Sequence, residues 1–250
     1  MAVSIKSARE IELMREAGKR LAHVHQELEA MIAPGISTWE IDAKGEKLIR
    51  DCGCIPNFLH YNGYPASICV SVNDEVVHGI PRKDRYLKEG DIVSLDAGLI
   101  YKGYHSDAAR THAVGKVSPE AQKLMDVTKQ SFFEGIKMAK EGQHLHDISR
   151  AIEEYVTPYG YGIVRDLVGH GIGTALHEDP QIPNYAQKRR GVRLQAGMTL
   201  AIEPMINAGT WQVRFLRDGW TVVTKDGSLS AHYENTILVT DGEPEILTLY

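Results

Sequence analysis

The chain has 250 residues, 43% of them hydrophobic and 24% charged, the profile of a globular protein with room for a sizeable core, not of a disordered or fibrous one. A formal net charge of −5 gives no sign of a nucleic-acid surface. No apolar run approaches the ~18 residues that a bilayer-crossing helix needs, which argues against a membrane protein.

The N-terminus, Met1-Ala2-Val3-Ser4-Ile5-Lys6, carries neither the apolar stretch of a secretory signal nor an Arg-rich transit pattern. Ser7-x-x-Glu10 is a capping box that opens a helix. Ile11, Met14, Leu21, Val24, Leu28 and Met31 give that helix an apolar stripe, and Pro34-Gly35 ends it. Ser37-x-x-Glu40 opens a second helix that runs to about Cys52-Gly53. Cys52 and Cys54 do not have a usual zinc spacing. Together with Cys69 they are expected to be free thiols of a reducing compartment, so the expected location is the cytoplasm. Residues 54–115 read as strands and turns, with a strand at 68–72, another at 92–95 and a return at Lys102-Gly103. Ser118-Pro119-Glu120 starts a third helix reaching about Lys140. A fourth covers roughly His144 to Val156, and strands resume at about Gly162.

The order is therefore helix, helix, strands, twice over, and the residues repeat as well. Gly90-Asp91-Ile92-Val93-Ser94-Leu95-Asp96 has a counterpart 107 residues later in Gly197-Met198-Thr199-Leu200-Ala201-Ile202-Glu203. Gly35 and Ile41 correspond in the same way to Gly142 and Ile148. A repeat this long is not a solenoid unit. The expectation is a single α+β domain, 1–250, made of two related halves of about 1–115 and 116–250.

Each half contributes acids. Strand alternation sets Val93 and Leu95 on one face and Ser94 and Asp96 on the other. Leu200 and Ile202 likewise oppose Thr199, Ala201 and Glu203. Asp107 follows Asp96 across the bend at 102–103, a separation that suits neighbouring antiparallel strands with both carboxylates on one side. Glu234 opens a strongly β-forming run, Thr236 to Val239. Four acids brought together repel unless a cation lies between them. His170, in the glycine-rich Val168-Gly169-His170-Gly171-Ile172-Gly173, would add an imidazole. Such a set suits a pair of divalent ions that activate a water.

Several segments carry a family resemblance. Val76 to Pro81, Gly169 to Gly173, His177-Glu178-Asp179-Pro180, Ala201 to Pro204 and His232 to Thr236 resemble, in order and over nearly the whole chain, the motifs of type I methionine aminopeptidases. The resemblance implies the duplicated pita-bread fold and hydrolytic removal of the initiator methionine from nascent chains whose second residue is small. It implies Asp96, Asp107, His170, Glu203 and Glu234 as ligands of two divalent ions (Co, Mn, Fe or Zn), with Glu203 also moving a proton. His78 and His177 would flank the substrate. Phe58, Tyr61, Tyr64, Cys69, Leu176 and Trp220 would form the methionine pocket. At position 58 many relatives have a small residue, and at 176 an aromatic one. A monovalent cation is expected near Asn73 and Ser230. The expected partners are nascent N-termini at the ribosome, with no nucleic-acid site of its own, no membrane, and a monomeric protein. Two other readings remain: a proline-directed peptidase of the same fold, whose members usually carry an extra N-terminal domain, and a non-catalytic protein that kept the fold. The remaining histidines (23, 25, 60, 105, 112, 144, 146 and 232) are expected to carry no chemistry.

Overall fold

The structure is a computed structural model that describes residues 3–249. Helices α1 (Ala8–Glu29) and α2 (Thr38–Asp51) each begin with a complete capping box, Ser7 with Glu10 and Ser37 with Glu40. Five strands follow: β1 (Ile55–Pro56), β2 (Ile68–Val72), β3 (Glu75–Val77), β4 (Ile92–Tyr101) and β5 (Tyr104–Ala113). Then come α3 (Pro119–Ile136) and α4 (Leu145–Val156). The second set of strands is β6 (Gly162–Ile163), β7 (Gly169–Gly171), β8 (Glu178–Ile182), β9 (Thr199–Ile202), β10 (Met205–Asn207), β11 (Val213–Phe215), β12 (Val222–Thr224), β13 (Ser230–His232), β14 (Glu234–Leu238) and β15 (Glu245–Ile246). Two helices are shorter than their sequence patterns: α1 stops before Pro34, and α3 stops four residues before Lys140. In both places the last turn tightens: Met31 N–H donates to Leu28 O and Ile32 N–H to Glu29 O, as Met138 N–H does to Gly135 O and Ala139 N–H to Ile136 O, bonds that satisfy end carbonyls with no partner in the helix.

Among the described residues, nine strands form one antiparallel sheet in the order β1-β4-β5-β14-β9-β7-β8, with β2 also on β4 and β15 also on β14. Its longest hairpin, β4–β5, has register pairs from Ile92↔Ala113 to Tyr101↔Tyr104. Lys102 and Gly103 close it, both with positive φ (48° and 86°), the two-residue turn whose twist matches that of the flanking strands.

The sheet has one face against helices and one face toward a cleft. Val93, Leu95, Ala97 and Leu99 of β4 and Ala108 of β5 pack with Leu21, Val24 and Leu28 of α1 and Ile41 and Ile49 of α2. Leu200, Ile202 and Ile237 pack with Leu124 and Phe132 of α3 and Ile148 and Ile152 of α4. Each such fully buried aliphatic side chain contributes roughly 1.5–3 kcal/mol. The alternate residues, Ser94, Asp96 and Gly98 on β4, are thereby turned to the cleft.

The same backbone hydrogen bonds recur 107 residues apart. Gly35 N–H donates to Leu87 O (2.8 Å) and Gly142 N–H to Leu194 O (2.9 Å). Leu87 N–H donates to Ile36 O and Leu194 N–H to Gln143 O, both at 2.8 Å. The isolated bridges Ser37↔Tyr86 and His144↔Arg193 keep the same offset. Each helix pair is thus tied to its sheet half by equivalent bonds.

Candidate metal centre and substrate pocket

Five neighbouring strands each carry or deliver one of the expected ligands. Asp96 is on β4, Asp107 on β5, Glu234 on β14, Glu203 directly after β9 and His170 on β7. The register explains why they meet. Asp96 and Glu234 both pair with Ala109 of β5, Asp107 pairs with Gly98, and His170 pairs with Ala201. All five side chains line one cavity of about 260 Å³. Ligand atoms of Asp107, His170 and Glu234 lie within 4.8 Å of one another. His170 Nε2 is 3.9 Å from Asp107 Oδ2 and 3.7 Å from Glu203 Oε1.

The electrostatics of this cluster call for a cation. Asp96 Oδ1, Asp107 Oδ1 and Glu234 Oε1 are buried without a hydrogen-bond partner. Burial, and then repulsion from the neighbouring acids, raises Asp107 and Glu234 well above the usual carboxylate range. Burial raises Asp96 and Glu203 too. His170 Nδ1 is 2.9 Å from Gly171 O, and a carbonyl can only accept, so Nδ1 carries the proton. Burial, then the nearby His177, pushes the ring pKa down to about 3. The neutral ring therefore presents the bare lone pair of Nε2 to the carboxylates. Unpaired carboxylate oxygens facing a bare imidazole nitrogen are mutually repulsive as they stand and fit a divalent cation. The set binds divalent metal.

The rest of the cavity is apolar and aromatic. Phe58, Tyr64, Cys69 and Leu176 are buried in one cluster, with Tyr61 and Trp220 packed against it. Tyr64 meets Trp220 edge to face, ring centres 5.2 Å apart, and its hydroxyl donates to Gly79 O at 2.9 Å. Cys69 pairs with Asp96 across the sheet, and burial drives its thiol pKa well up, so it is a neutral wall. His78 sits in the left-handed region (φ 59°). Burial, followed by His232 and His177, lowers its pKa to about 4. His177, whose pKa burial also lowers, meets His170 edge to face with ring centres 4.3 Å apart, and its Nδ1 is 2.8 Å from the Tyr61 hydroxyl. All thirteen side chains expected at the site thus line a single cavity.

Two residues at the site had not been expected. Asn62 lines the cavity mouth with φ 49°; nothing in its sequence context marks it. His232 is 1% exposed and holds Nε2 3.6 Å from Glu203 Oε2, with no hydrogen-bond partner for either ring nitrogen. A signal was present for His232: it lies two residues before Glu234, the period at which strand side chains share a face. At the expected monovalent site, Ser230 N–H donates to Asn73 O (2.9 Å), and the Ser230 hydroxyl donates to Asn207 Oδ1 (2.9 Å).

The model of the family described as "Metallopeptidase family M24" matches residues 12–241. The chain belongs to this family. It is 54% identical over 247 residues to a methionine aminopeptidase of Clostridium acetobutylicum, covering 99% of each chain. It superposes on the crystal structure of a Thermotoga maritima methionine aminopeptidase with a TM-score of 0.97, at 46% identity and full coverage of both chains. An Xaa-Pro dipeptidase of Bacillus anthracis is more distant, with a TM-score of 0.77 at 26% identity, 98% of this chain and 61% of that one. The fold is that of the pita-bread peptidases. No described helix is long and apolar enough to cross a membrane.

Proposed function

We propose that this M24 metallopeptidase is a methionine aminopeptidase that removes the initiator methionine from nascent chains with a small second residue. The observation that carries the reading is the convergence, in one cavity, of five metal-binding side chains and a closed apolar wall, together with 54% identity over full length to a methionine aminopeptidase. We read Asp96, Asp107, His170, Glu203 and Glu234 as the side chains that would hold two divalent cations. Carboxylate and imidazole donors suit Mn, Fe, Co and Zn alike. When bound, the cations lower the pKa of water and polarise the scissile carbonyl.

The chain's own residues do the rest. Tyr61, Tyr64, Cys69 and Trp220, with Phe58 and Leu176 closing the wall, enclose a linear thioether whose sulfur contacts aromatic edges. The acids at the cavity floor attract the free α-amino end of a peptide, so a blocked N-terminus is excluded. With the Tyr61 hydroxyl donating to Nδ1, neutral His177 keeps its proton on Nε2 and donates it to the oxyanion that develops at the carbonyl. Glu203 accepts a proton from water and delivers it to the leaving amine. His78 and His177 crowd the residue after the cut bond, which selects small side chains.

The two halves, 1–115 and 116–250, act as one catalytic domain. Nascent N-termini at the ribosome, in the cytoplasm, are the natural substrates of such a monomeric enzyme. A monovalent cation beside the adjoining Asn73 and Ser230 would brace the second turn. Hydrolysis of Met-Ala-Ser by metal-stripped protein, with Mn, Fe, Co or Zn added back singly, tests the reading. Activity should vanish on stripping and return with at least one metal. Full activity in protein shown metal-free by elemental analysis would overturn it, as would preferential cleavage of X-Pro peptides.

A further inference from the structure

The turn that carries His177 joins β7 to β8, and residues from the opposite end of the chain hold it. Lys6, in the extended segment before α1, is only 8% exposed. Its ammonium lies 2.7 Å from Glu178 Oε2, the residue next to His177. Ser4 also donates to Glu178 Oε2 at 2.7 Å, and Ala175 N–H donates to Oε1 at 3.2 Å. The Lys6 ammonium further bonds the Ser4 hydroxyl. The lysine stem runs directly beneath the turn: a Cβ on Gly173 would lie 2.6 Å from Lys6 Cε, so a side chain there would push the lysine aside. The Lys6 main chain is fixed in turn, donating to Gly197 O at 2.8 Å, at the start of the segment that leads through β9 to Glu203.

We infer that Lys6 is a positioning residue: through Glu178 it fixes the 173–177 turn, and so the placement of the His177 ring over the metal centre. Side chains on a turn are less precisely held than those on a strand, so a turn that bears a transition-state donor needs such support. Tyr61 fixes the rotation of the His177 ring through Nδ1, whereas Lys6 fixes the backbone beneath it; the two restraints are independent. Burial acts to raise the Glu178 pKa, but the bonds from Lys6 and Ser4 overcome it and hold the group below its usual range, so the carboxylate stays charged. Without Lys6, a largely buried charge loses its cation, and the turn is left with the His105 N–H bond to Gly173 O at its start (2.8 Å) but no tie through Glu178 to the N-terminal segment.

The inference rests on the aminopeptidase reading, and the test separates the two. Lys6→Met, Lys6→Arg, His177→Ala and the double variant Lys6→Met/His177→Ala are compared as metal-loaded proteins of equal metal content on Met-Ala-Ser. Lys6→Met should lower kcat about 10-fold or more, the scale of a sub-ångström to 1 Å misplacement, with a smaller change in KM. Lys6→Arg should restore most of the loss. In the His177→Ala background, Lys6→Met should have no further effect on kcat. An equal fold-loss in both backgrounds, or an unchanged kcat in Lys6→Met, overturns the inference. If Lys6→Met does not fold, Glu178→Gln replaces it in the same cycle with the same two outcomes. An inactive wild-type protein instead overturns the aminopeptidase reading.

Discussion

The two halves share a frame and differ in what they place on it. Equivalent bonds tie Leu87 and Leu194, 107 residues apart, to equivalent helix entries, and the matching positions Asp96 and Glu203 lie midway along β4 and directly after β9. Beyond that the halves diverge. The first half presents its acids on the long β4–β5 hairpin, paired over its full length, and supplies the wall residues Phe58 to Cys69. The second half joins the site through short strands, such as the four-pair β9–β14 ladder, and supplies three imidazoles, His170 on β7, His177 in the turn after it and His232 on β13. The comparison teaches that one repeated backbone frame can carry different site side chains in each half.

The sharpest way to test that asymmetry is His177→Ala, at a residue whose counterpart by offset, Val70, is an ordinary buried apolar side chain. Loss of one oxyanion donor should lower kcat by ~10²–10³-fold, with metal content unchanged. Metal loss in this variant would instead place His177 among the ligands and erase the distinction between frame and catalytic residue.

A second test concerns the shared carboxylates in metal-stripped protein. Asp96, Asp107, Glu203 and Glu234 have folded-state pKa values raised by burial. A raised folded pKa means that the folded state binds more protons than the unfolded one. Stability is therefore greatest below the unfolded carboxylate value of ~4 and falls as pH rises through the folded values. These acids pull the Tm of metal-free protein down as pH climbs from acid through neutral, against the buried His78, His170 and His232, whose lowered pKa values act in the opposite sense. Asp96→Asn and Glu203→Gln should each remove part of that slope, and bound metal should flatten it. An unchanged pH slope of Tm in Asp96→Asn and Glu203→Gln would show that the acids are not held together as described.

The smallest effect tests the frame itself. Ile41 and Ile148 occupy matching places on α2 and α4, and both are fully buried. Ile→Val at either should cost ~0.5–1.5 kcal/mol, read from chemical denaturation, with kcat unaffected. A cost confined to one position would mean that the halves pack differently beneath equivalent backbones.

Much of this was legible in the sequence because it depends on local rules. The capping boxes at Ser7 and Ser37, the turn at Lys102-Gly103 and the alternation around Asp96 all specify backbone geometry within a few residues, and the repeat exposed the acids as a pair. The pocket residues came from family resemblance; nothing in the spacing of Phe58, Leu176 and Trp220 brings them together. Lys6 could not be read at all, because its partner is 172 residues away and no periodicity links a strap to a turn. The nearness of His232 to Glu203 was not expected, although its alternation with Glu234 could have signalled it. The end of α3 was placed too late, at Lys140, because the chain leaves the helix through tighter turns, Met138 N–H to Gly135 O and Ala139 N–H to Ile136 O, while Ala139 stays buried.

The most direct measurement is kcat/KM of the metal-loaded protein on Met-Ala-Ser, Leu-Ala-Ser and Lys-Ala-Ser, with the released residue identified by mass spectrometry. A pocket closed by Tyr61, Tyr64, Cys69 and Trp220 should favour the linear thioether over a branched or charged side chain by roughly 1–3 kcal/mol, or about 10–200-fold. Comparable values for all three peptides would contradict the methionine assignment.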